Sequence, residues 1–201
     1  ARVPILMYLC RYNSRTALAD QHWRCHAGFA AFEAQLAYLK SNDFTAIQLD
    51  DLHNHLATGA PLPPRPVILT FDDGYRDNYE NAFPLLRRYG FKATFFIVSD
   101  FVHSGSATYM NWRMVREMSD AGMSIESHSR THPDLRDRSF ESLVWEILGP
   151  IESIEAFTGK RPRFFCYPAG RYDDAVIRVL RSVGTLGAVT THFGRTQTLG
   201  D

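Results

Sequence analysis

Short apolar runs alternate with amphipathic segments along most of this 201-residue chain, and this alternation constrains its fold more than any other feature. Apolar runs rich in β-branched and aromatic residues, bounded by glycine or proline, are typical of buried strands. Strands that alternate with helices of roughly 10 to 15 residues predict a parallel sheet covered by helices. We count about seven strands, at residues 4–8, 44–49, 67–71, 93–98, 123–126, 163–167 and 187–190. This number is too small for an eight-stranded barrel of ordinary length.

The third of these runs, residues 67–71, ends on two adjacent carboxylates, Asp72 and Asp73, followed by Gly74. Buried carboxylates need partners or a metal ion, and the carboxyl end of a parallel strand is where catalytic groups are expected. The alternative is that one of the two caps the helix that begins near Asn78, since aspartate is a common cap residue. The pair alone leaves both interpretations open.

A second polar segment follows the short apolar run at residues 123–125 and carries His128 and His132. A spacing of four residues puts both imidazoles on one side of a turn, so that they can bind one ion. One carboxylate oxygen and two imidazole nitrogens would leave a position open for water, as in catalytic rather than structural zinc sites. The combination of the two strand ends therefore predicts a metal site better than either alone.

These segments resemble the motifs of the polysaccharide deacetylase family, which is the NodB-homology domain of carbohydrate esterase family 4. Residues 70–75 are similar to its first motif, residues 127–132 to its second and residues 165–170 to its third, while Asn111 and Trp112 resemble the tryptophan-bearing fourth. Residues 4–8 and 188–191 resemble the branch that contains poly-β-1,6-N-acetylglucosamine deacetylases. Because the resemblance covers nearly the whole chain, we expect residues 1–201 to form one domain, a distorted (β/α)7 barrel of parallel strands with outer helices.

The resemblance implies a role for each motif residue. It assigns Asp72 as the general base, and Asp73, His128 and His132 as ligands of one divalent ion, zinc by preference, with Co²⁺, Ni²⁺ or Mn²⁺ as other occupants. It implies that the substrate is an N-acetylglucosamine-containing glycan.

Four further residues are predicted to contact that glycan. A backbone N–H near Tyr75 would stabilise the oxyanion, Tyr167 and Pro168 would form one wall of a groove, and Trp112 would line the other side. For Trp112 and Tyr167 the alternative is packing in the core.

The chain departs from the family pattern on the acid side of the mechanism. Leu9 stands where this branch carries a histidine, Cys166 stands where many relatives carry an arginine, and the fifth motif has no clean match. His192, near the end of the last strand, is the one visible substitute for the general acid. Arg163 is a candidate partner for Asp72 in place of the missing arginine.

Composition excludes several classes of partner. The chain has 22 basic and 22 acidic residues without a Lys/Arg run, which argues against nucleic acid as a partner. No apolar segment approaches the roughly 18 residues of a membrane span. We expect a monomer that acts outside the cytoplasm, in an extracellular, periplasmic or cell-surface setting, where Cys10 and Cys25 could pair. His22 and His26 share the four-residue spacing but follow no carboxylate-bearing strand, so a surface loop is the favoured interpretation.

Three interpretations of function remain open at this stage. The favoured one is a metal-dependent hydrolase that removes N-acetyl groups from poly-N-acetylglucosamine, chitin or peptidoglycan-type polymers. A catalytically impaired carbohydrate-binding relative would account for Leu9 and Cys166. An O-acetyl esterase acting on a plant glycan such as xylan would tolerate the missing acid, because an alkoxide leaves more readily than an amide nitrogen.

Overall fold

The computed structural model of the protein describes residues 2–8, 29–192, 194 and 196–198. Within them, seven strands pair in parallel throughout. They are β1 (Ile5–Tyr8), β2 (Thr45–Ala46), β3 (Pro66–Phe71), β4 (Thr94–Ile97), β5 (Ser124–Ser127), β6 (Phe164–Cys166) and β7 (Gly187–Val189). The order across the sheet is β1-β3-β4-β5-β6-β7, and β2 pairs with the beginning of β3.

Helices connect these strands and cover the curled sheet from outside. They are α1 (Phe29–Ser41), α2 (Leu49–Thr58), α3 (Phe83–Tyr89), α4 (Ser99–His103), α5 (Trp112–Asp120), α6 (Phe140–Thr158) and α7 (Asp174–Ser182). A π-helical turn, Asn78–Ala82, leads into α3, and a 3-10 turn, Pro168–Gly170, follows β6. The predicted α/β fold, a distorted barrel of seven parallel strands with outer helices, is confirmed. Within the described ranges no helix has both the length and the apolar character needed to cross a bilayer.

The central strands are buried on both faces because alternate side chains enter different clusters. Tyr8, Phe71 and Phe95 are paired in register on β1, β3 and β4, and their rings stack with centroids 5.1 and 4.8 Å apart. This column packs against α1, α3 and α5. The intervening residues Ile68 and Phe96 point the other way, into a cluster with the first turn of α2. Aromatic stacking across neighbouring strands adds to the apolar burial that holds the sheet together.

Two predicted strands differ from the structure. Residues 4–8 are one of the apolar runs expected to form buried strands, but Met7 on β1 is 47% exposed, because β1 lies at one end of the strand order in the part of the chain that the structure describes. The second strand was expected at residues 44–49 and is only two residues long. Its C-terminal part gives way to α2, whose start is fixed by the Gln48 N–H donating to Asp51 Oδ2 at 2.8 Å.

The carboxyl ends of β3, β5 and β6 lie at one edge of the sheet because all their pairings are parallel. Asp72 follows β3, His128 follows β5, and Tyr167 follows β6. The next residues of each chain segment therefore project into the same region, which is where catalytic groups collect in such sheets.

Candidate metal and catalytic site

A left-handed turn directly after β3 separates the two adjacent aspartates. Asp73 has φ 71° and Gly74 has φ 77°, so the chain reverses direction immediately after Asp72. Consecutive residues of an extended strand would point to opposite faces. The turn allows both carboxylates to approach the same site. A Cβ on Gly74 would lie 3.3 Å from Ile97 Cγ2, and the φ value would strain any other residue, so the glycine is needed here for both reasons.

The two histidines lie in a second turn, which follows β5. The backbone N–H of His128 continues the sheet by donating to Ile97 O at 3.0 Å. Ser129 and His132 both have positive φ values, 66° and 62°, and Ser129 Oγ accepts from the His132 N–H at 3.0 Å. As a result the two imidazole rings lie 4.7 Å apart between centroids.

The first turn and the second turn bring together Asp73, His128 and His132, which we call the outer ligand set. Asp73 Oδ1 lies 3.3 Å from His128 Nε2 and 3.5 Å from His132 Nε2, and one ligand atom from each residue lies within 4.8 Å of the others. His128 is buried, whereas the His132 side chain is 32% exposed, so the set faces solvent on one side. Two neutral imidazoles and a carboxylate fit a divalent ion with an open coordination position.

A hydrogen bond on the far side of the His128 ring determines which of its nitrogens can bind a metal ion. Its Nδ1 lies 2.7 Å from the backbone carbonyl oxygen of Cys166, which can only accept a hydrogen bond. Nδ1 therefore donates to this carbonyl, and Nε2, which faces Asp73 Oδ1 at 3.3 Å, is the nitrogen that can bind a metal ion once its own proton has left. Such a hydrogen bond to a carbonyl is the usual way in which proteins orient a metal-binding imidazole.

The protonation tendencies of these groups follow from burial and mutual contact. Burial raises the pKa of Asp73, but hydrogen bonding to His128 and the proximity of both imidazoles outweigh it, so the net pKa is lowered. Burial also lowers the pKa of His132, and the neighbouring His128 lowers it further. An ionised Asp73 beside a neutral His132 is the state that a metal ion requires.

Asp72 lies beside the outer ligand set in a different environment. It is 7% exposed, and its Oδ1 has no hydrogen-bond partner in the part of the chain that the structure describes. Burial raises the pKa of Asp72 to about 6, with His128 acting in the opposite direction. A buried carboxylate with one unpaired oxygen and a pKa near neutrality has the properties of a general base.

Glu146 on α6 supports the histidine turn and was not predicted from the sequence. Its Oε2 accepts hydrogen bonds from the Arg130 and Thr131 N–H groups at 3.0 and 2.9 Å, and its Oε1 accepts from Thr131 Oγ1 at 2.5 Å. The side chain is 4% exposed. The available signal was an acidic residue on the apolar face of a helix, between Leu143 and Ile147, both of which are buried.

Aromatic residues flank the site on two sides. Tyr75 stacks on Tyr109 at 5.2 Å, and Tyr109 stacks on Phe101 at 4.5 Å. On the other side Tyr167 is 7% exposed and belongs to a core cluster, while Tyr172 stacks on it at 4.5 Å and is 39% exposed. Tyr172, which was not predicted, therefore offers more ring surface to a ligand than Tyr167 does.

Pro168 is buried at the start of the 3-10 turn that follows Tyr167. Trp112, which was predicted to line the groove, stacks on Phe157 of α6 at 4.3 Å, and its Nε1 donates to His103 Nδ1 at 3.4 Å. The Trp112 ring therefore packs α5 against α6.

Two further residues were predicted to act in the mechanism, His192 as the general acid and Arg163 as a partner of Asp72. The His192 side chain is exposed, and its backbone N–H donates to Thr190 Oγ1 at 3.1 Å. Arg163 does not pair with Asp72. It contacts Asp50 at 2.6 Å at the opposite edge of the sheet, because it precedes β6 rather than follows it. Leu9, Cys10, His22, Cys25 and His26 lie outside the described residues.

Comparison with known proteins gives consistent matches. The sequence model of the family described as "Polysaccharide deacetylase" matches residues 59–187. The YxkH protein of Bacillus subtilis (strain 168) is 27% identical over 194 residues, which are 96% of this chain and 66% of that protein. The poly-β-1,6-N-acetyl-D-glucosamine N-deacetylase of Staphylococcus aureus (strain MRSA252) is 28% identical over 167 residues, which are 76% of this chain and 57% of that enzyme. This chain thus spans less than two thirds of the length of either relative.

Among solved structures, the Streptococcus pyogenes deacetylase PplD in complex with acetate has the same fold. It superposes with a TM-score of 0.87 at 27% identity, and the match covers 96% of this chain and 85% of that one.

Proposed function

This chain belongs to the polysaccharide deacetylase family, and from that membership we propose that it is a metal-dependent hydrolase that removes N-acetyl groups from an N-acetylglucosamine-containing polysaccharide. Polymers of the poly-N-acetylglucosamine, chitin and peptidoglycan types are the proposed substrate class. The observation that carries the proposal is the unpaired, buried oxygen of Asp72 next to three side chains with the chemistry of a catalytic metal site. The name of the Staphylococcus aureus relative supports the choice of an amide over other bonds.

The outer ligand set is proposed to hold the ion, and zinc is the preferred occupant because two imidazoles and a carboxylate are common zinc ligands. When bound, the ion supplies Lewis-acid polarisation of the acetyl carbonyl and lowers the pKa of a nearby water.

Asp72 is proposed to accept the proton of the attacking water. A base works best when its pKa lies near the working pH, and burial raises the pKa of Asp72 to about 6. At neutral pH the carboxylate is therefore largely ionised and still basic enough to accept the proton. A backbone N–H near Tyr75, in the turn that follows Asp73, is proposed to donate to the developing oxyanion.

The leaving amine is proposed to take its proton from His192 or from solvent water. His192 follows β7 at the same edge of the sheet as the two turns, and its side chain is exposed. His192→Ala separates the two sources, because it lowers acetate release only when the imidazole is the donor.

An O-acetyl esterase is the second candidate. The observation that favours it concerns the general acid. In the described residues the imidazoles paired with Asp73 are those of His128 and His132, and both are needed as metal ligands rather than as an acid. An ester places less demand on a general acid than an amide does. A catalytically impaired carbohydrate-binding relative is the outcome if neither bond is cleaved. A location outside the cytoplasm, where such polymers are found, is part of the proposal.

The test is acetate release by the purified protein, with zinc supplied and then removed by a chelator. N-acetylglucosamine oligomers and acetylated xylan are compared in parallel. We expect zinc-dependent release from the oligomers and little from the xylan. The reverse preference would replace the deacetylase proposal with the esterase, and release from neither substrate by a zinc-loaded protein would indicate a binding protein.

A further inference from the structure

A second group of metal-binding side chains lies beneath the outer ligand set. Asp72, His128 and Cys166, which we call the inner ligand set, each offer a ligand atom within 4.8 Å of the other two. All three residues are buried, with exposures of 7%, 3% and 5%. Cys166 is the last residue of β6 and Asp72 follows β3, so the topology places the thiol at the edge that carries the site.

Two polar atoms of this inner set, one on Asp72 and one on Cys166, lack a close hydrogen-bond partner among the described residues. Asp72 Oδ1 is buried without a hydrogen-bond partner, judged over the described residues. The Cys166 Sγ has a long contact, 4.0 Å, with the carbonyl oxygen of Tyr167. An unpaired carboxylate oxygen in a buried position is costly unless a proton or a cation compensates it. The thiol beside it adds the ligand type that soft metal ions prefer.

The two ligand sets compete for a single nitrogen. Because His128 Nδ1 donates to the carbonyl oxygen of Cys166 at 2.7 Å, Nε2 is the nitrogen that remains for either ion. The same Nε2 lies 3.3 Å from Asp73 Oδ1 in the outer set. One lone pair cannot serve two ions, so filling one position excludes a complete ligand set at the other.

We propose that Asp72, His128 and Cys166 form an alternative metal position that takes thiophilic divalent ions such as Cd²⁺ and is mutually exclusive with the outer position. On binding, the Cys166 thiol loses its proton to solvent and the sulfur–metal bond forms, as metal coordination deprotonates a thiol. An ion at this position removes His128 from the outer set and occupies the Asp72 carboxylate. Thiophilic ions are therefore expected to inhibit whatever reaction the outer site performs.

The binding proposal does not depend on the proposed deacetylase activity, because its test is spectroscopic. Metal-free protein is titrated with Cd²⁺ while the ultraviolet thiolate-to-cadmium charge-transfer band is recorded. Cys10 and Cys25, the other two cysteines of the chain, are first replaced by serine so that the band can come only from Cys166. In this background we expect the band to grow and saturate with the first equivalent of Cd²⁺.

Four variants in the same background distinguish the two positions. Cys166→Ser and Cys166→Ala are expected to lose the band, and His128→Ala is expected to lose it or to need a large excess of Cd²⁺. His132→Ala is expected to keep it, since His132 belongs to the outer set alone. Far-ultraviolet circular dichroism verifies folding, and if both Cys166 variants unfold, the histidine pair decides.

Absence of the band in the parent protein, or its loss in His132→Ala with retention in His128→Ala, would overturn the proposal. Failure to release acetate from any substrate would leave the spectroscopic result unaffected, so the two failures are distinguishable.

Discussion

Replacing Glu146 tests whether the histidine turn is positioned by its contacts with α6. The Glu146 carboxylate accepts three hydrogen bonds from Arg130 and Thr131, immediately before His132. Glu146→Ala leaves two backbone N–H groups without their acceptor, at about 1–3 kcal/mol for each group that stays buried. Loss of a direct hydrogen-bond partner of a metal ligand typically lowers metal affinity about 10- to 100-fold, and because Glu146 contacts the residues before His132 rather than its ring, the lower end of about 10-fold applies. We therefore expect Glu146→Ala to weaken zinc binding by that factor and to lower the free energy of unfolding by a few kcal/mol.

Glu146→Gln is the matched control because it keeps the shape of the side chain. The amide oxygen can accept from the two backbone N–H groups, and the amide nitrogen can donate to Thr131 Oγ1. We expect this variant to lie within about 1 kcal/mol of the parent in both properties. Zinc affinity is measured by competition with a chromogenic chelator, and stability by urea unfolding of the metal-free protein. Equal zinc affinity in Glu146→Ala and the parent would refute the positioning role.

Three further outcomes follow from single features of the structure. Burial raises the pKa of Glu126 from 4.5 to about 7, so the folded state binds this proton more tightly than the unfolded state and loses stability as the pH rises from about 4.5 to about 7. Glu126→Gln should remove up to ~3 kcal/mol of that loss, so the variant should be more stable than the parent at about pH 8 and similar to it at about pH 4. Urea unfolding at a series of pH values measures this, and the same pH dependence of the unfolding free energy in both proteins would contradict it. Burial lowers the pKa of His128, but its neighbours Cys166, Asp73 and Asp72 outweigh this and raise it well above the usual range. Zinc must therefore displace a proton and bind more weakly as the pH falls, and calorimetry in buffers of different ionisation enthalpy should detect the released proton, whereas buffer-independent heats would argue against it. Gly170→Ala places a Cβ 2.8 Å from the Thr191 backbone nitrogen, whereas Gly159→Ala has open space at nearly the same φ. Both should incur the roughly 1–2 kcal/mol of a left-handed alanine, and urea unfolding should find Gly170→Ala the less stable of the two; equal losses would mean that the chain relaxes around Thr191.

The sequence was sufficient to predict the strands that carry the site, because each is a short apolar run with a polar residue at its end. Asp73, His128 and His132 could be grouped through the family motifs and the four-residue histidine spacing. The chain reversal that directs the Asp72 and Asp73 carboxylates to the same site depends on two consecutive residues with left-handed backbone conformation. Of these two, only Gly74 is a clear signal in the sequence.

The remaining features depend on tertiary contacts that no local pattern specifies. Glu146 acts from a helix that is distant in sequence from the turn it supports. Arg163 was predicted near Asp72 but lies at the amino end of β6, and a shift of a few residues along a strand moves a side chain to the opposite edge of the sheet. Tyr172 stacks on the buried Tyr167, a contact between neighbouring loop residues that no local pattern indicates.

Zinc content and acetate release, measured on the same samples of Asp72→Asn and Asp73→Asn, test the central claim most directly. If Asp72 is the base and Asp73 a ligand, Asp72→Asn keeps its zinc but loses acetate release by roughly 100- to 10,000-fold, the usual contribution of a general base. Asp73→Asn loses both zinc and activity. An Asp72→Asn variant that holds zinc and releases acetate at the parent rate would contradict the assignment of the two carboxylates.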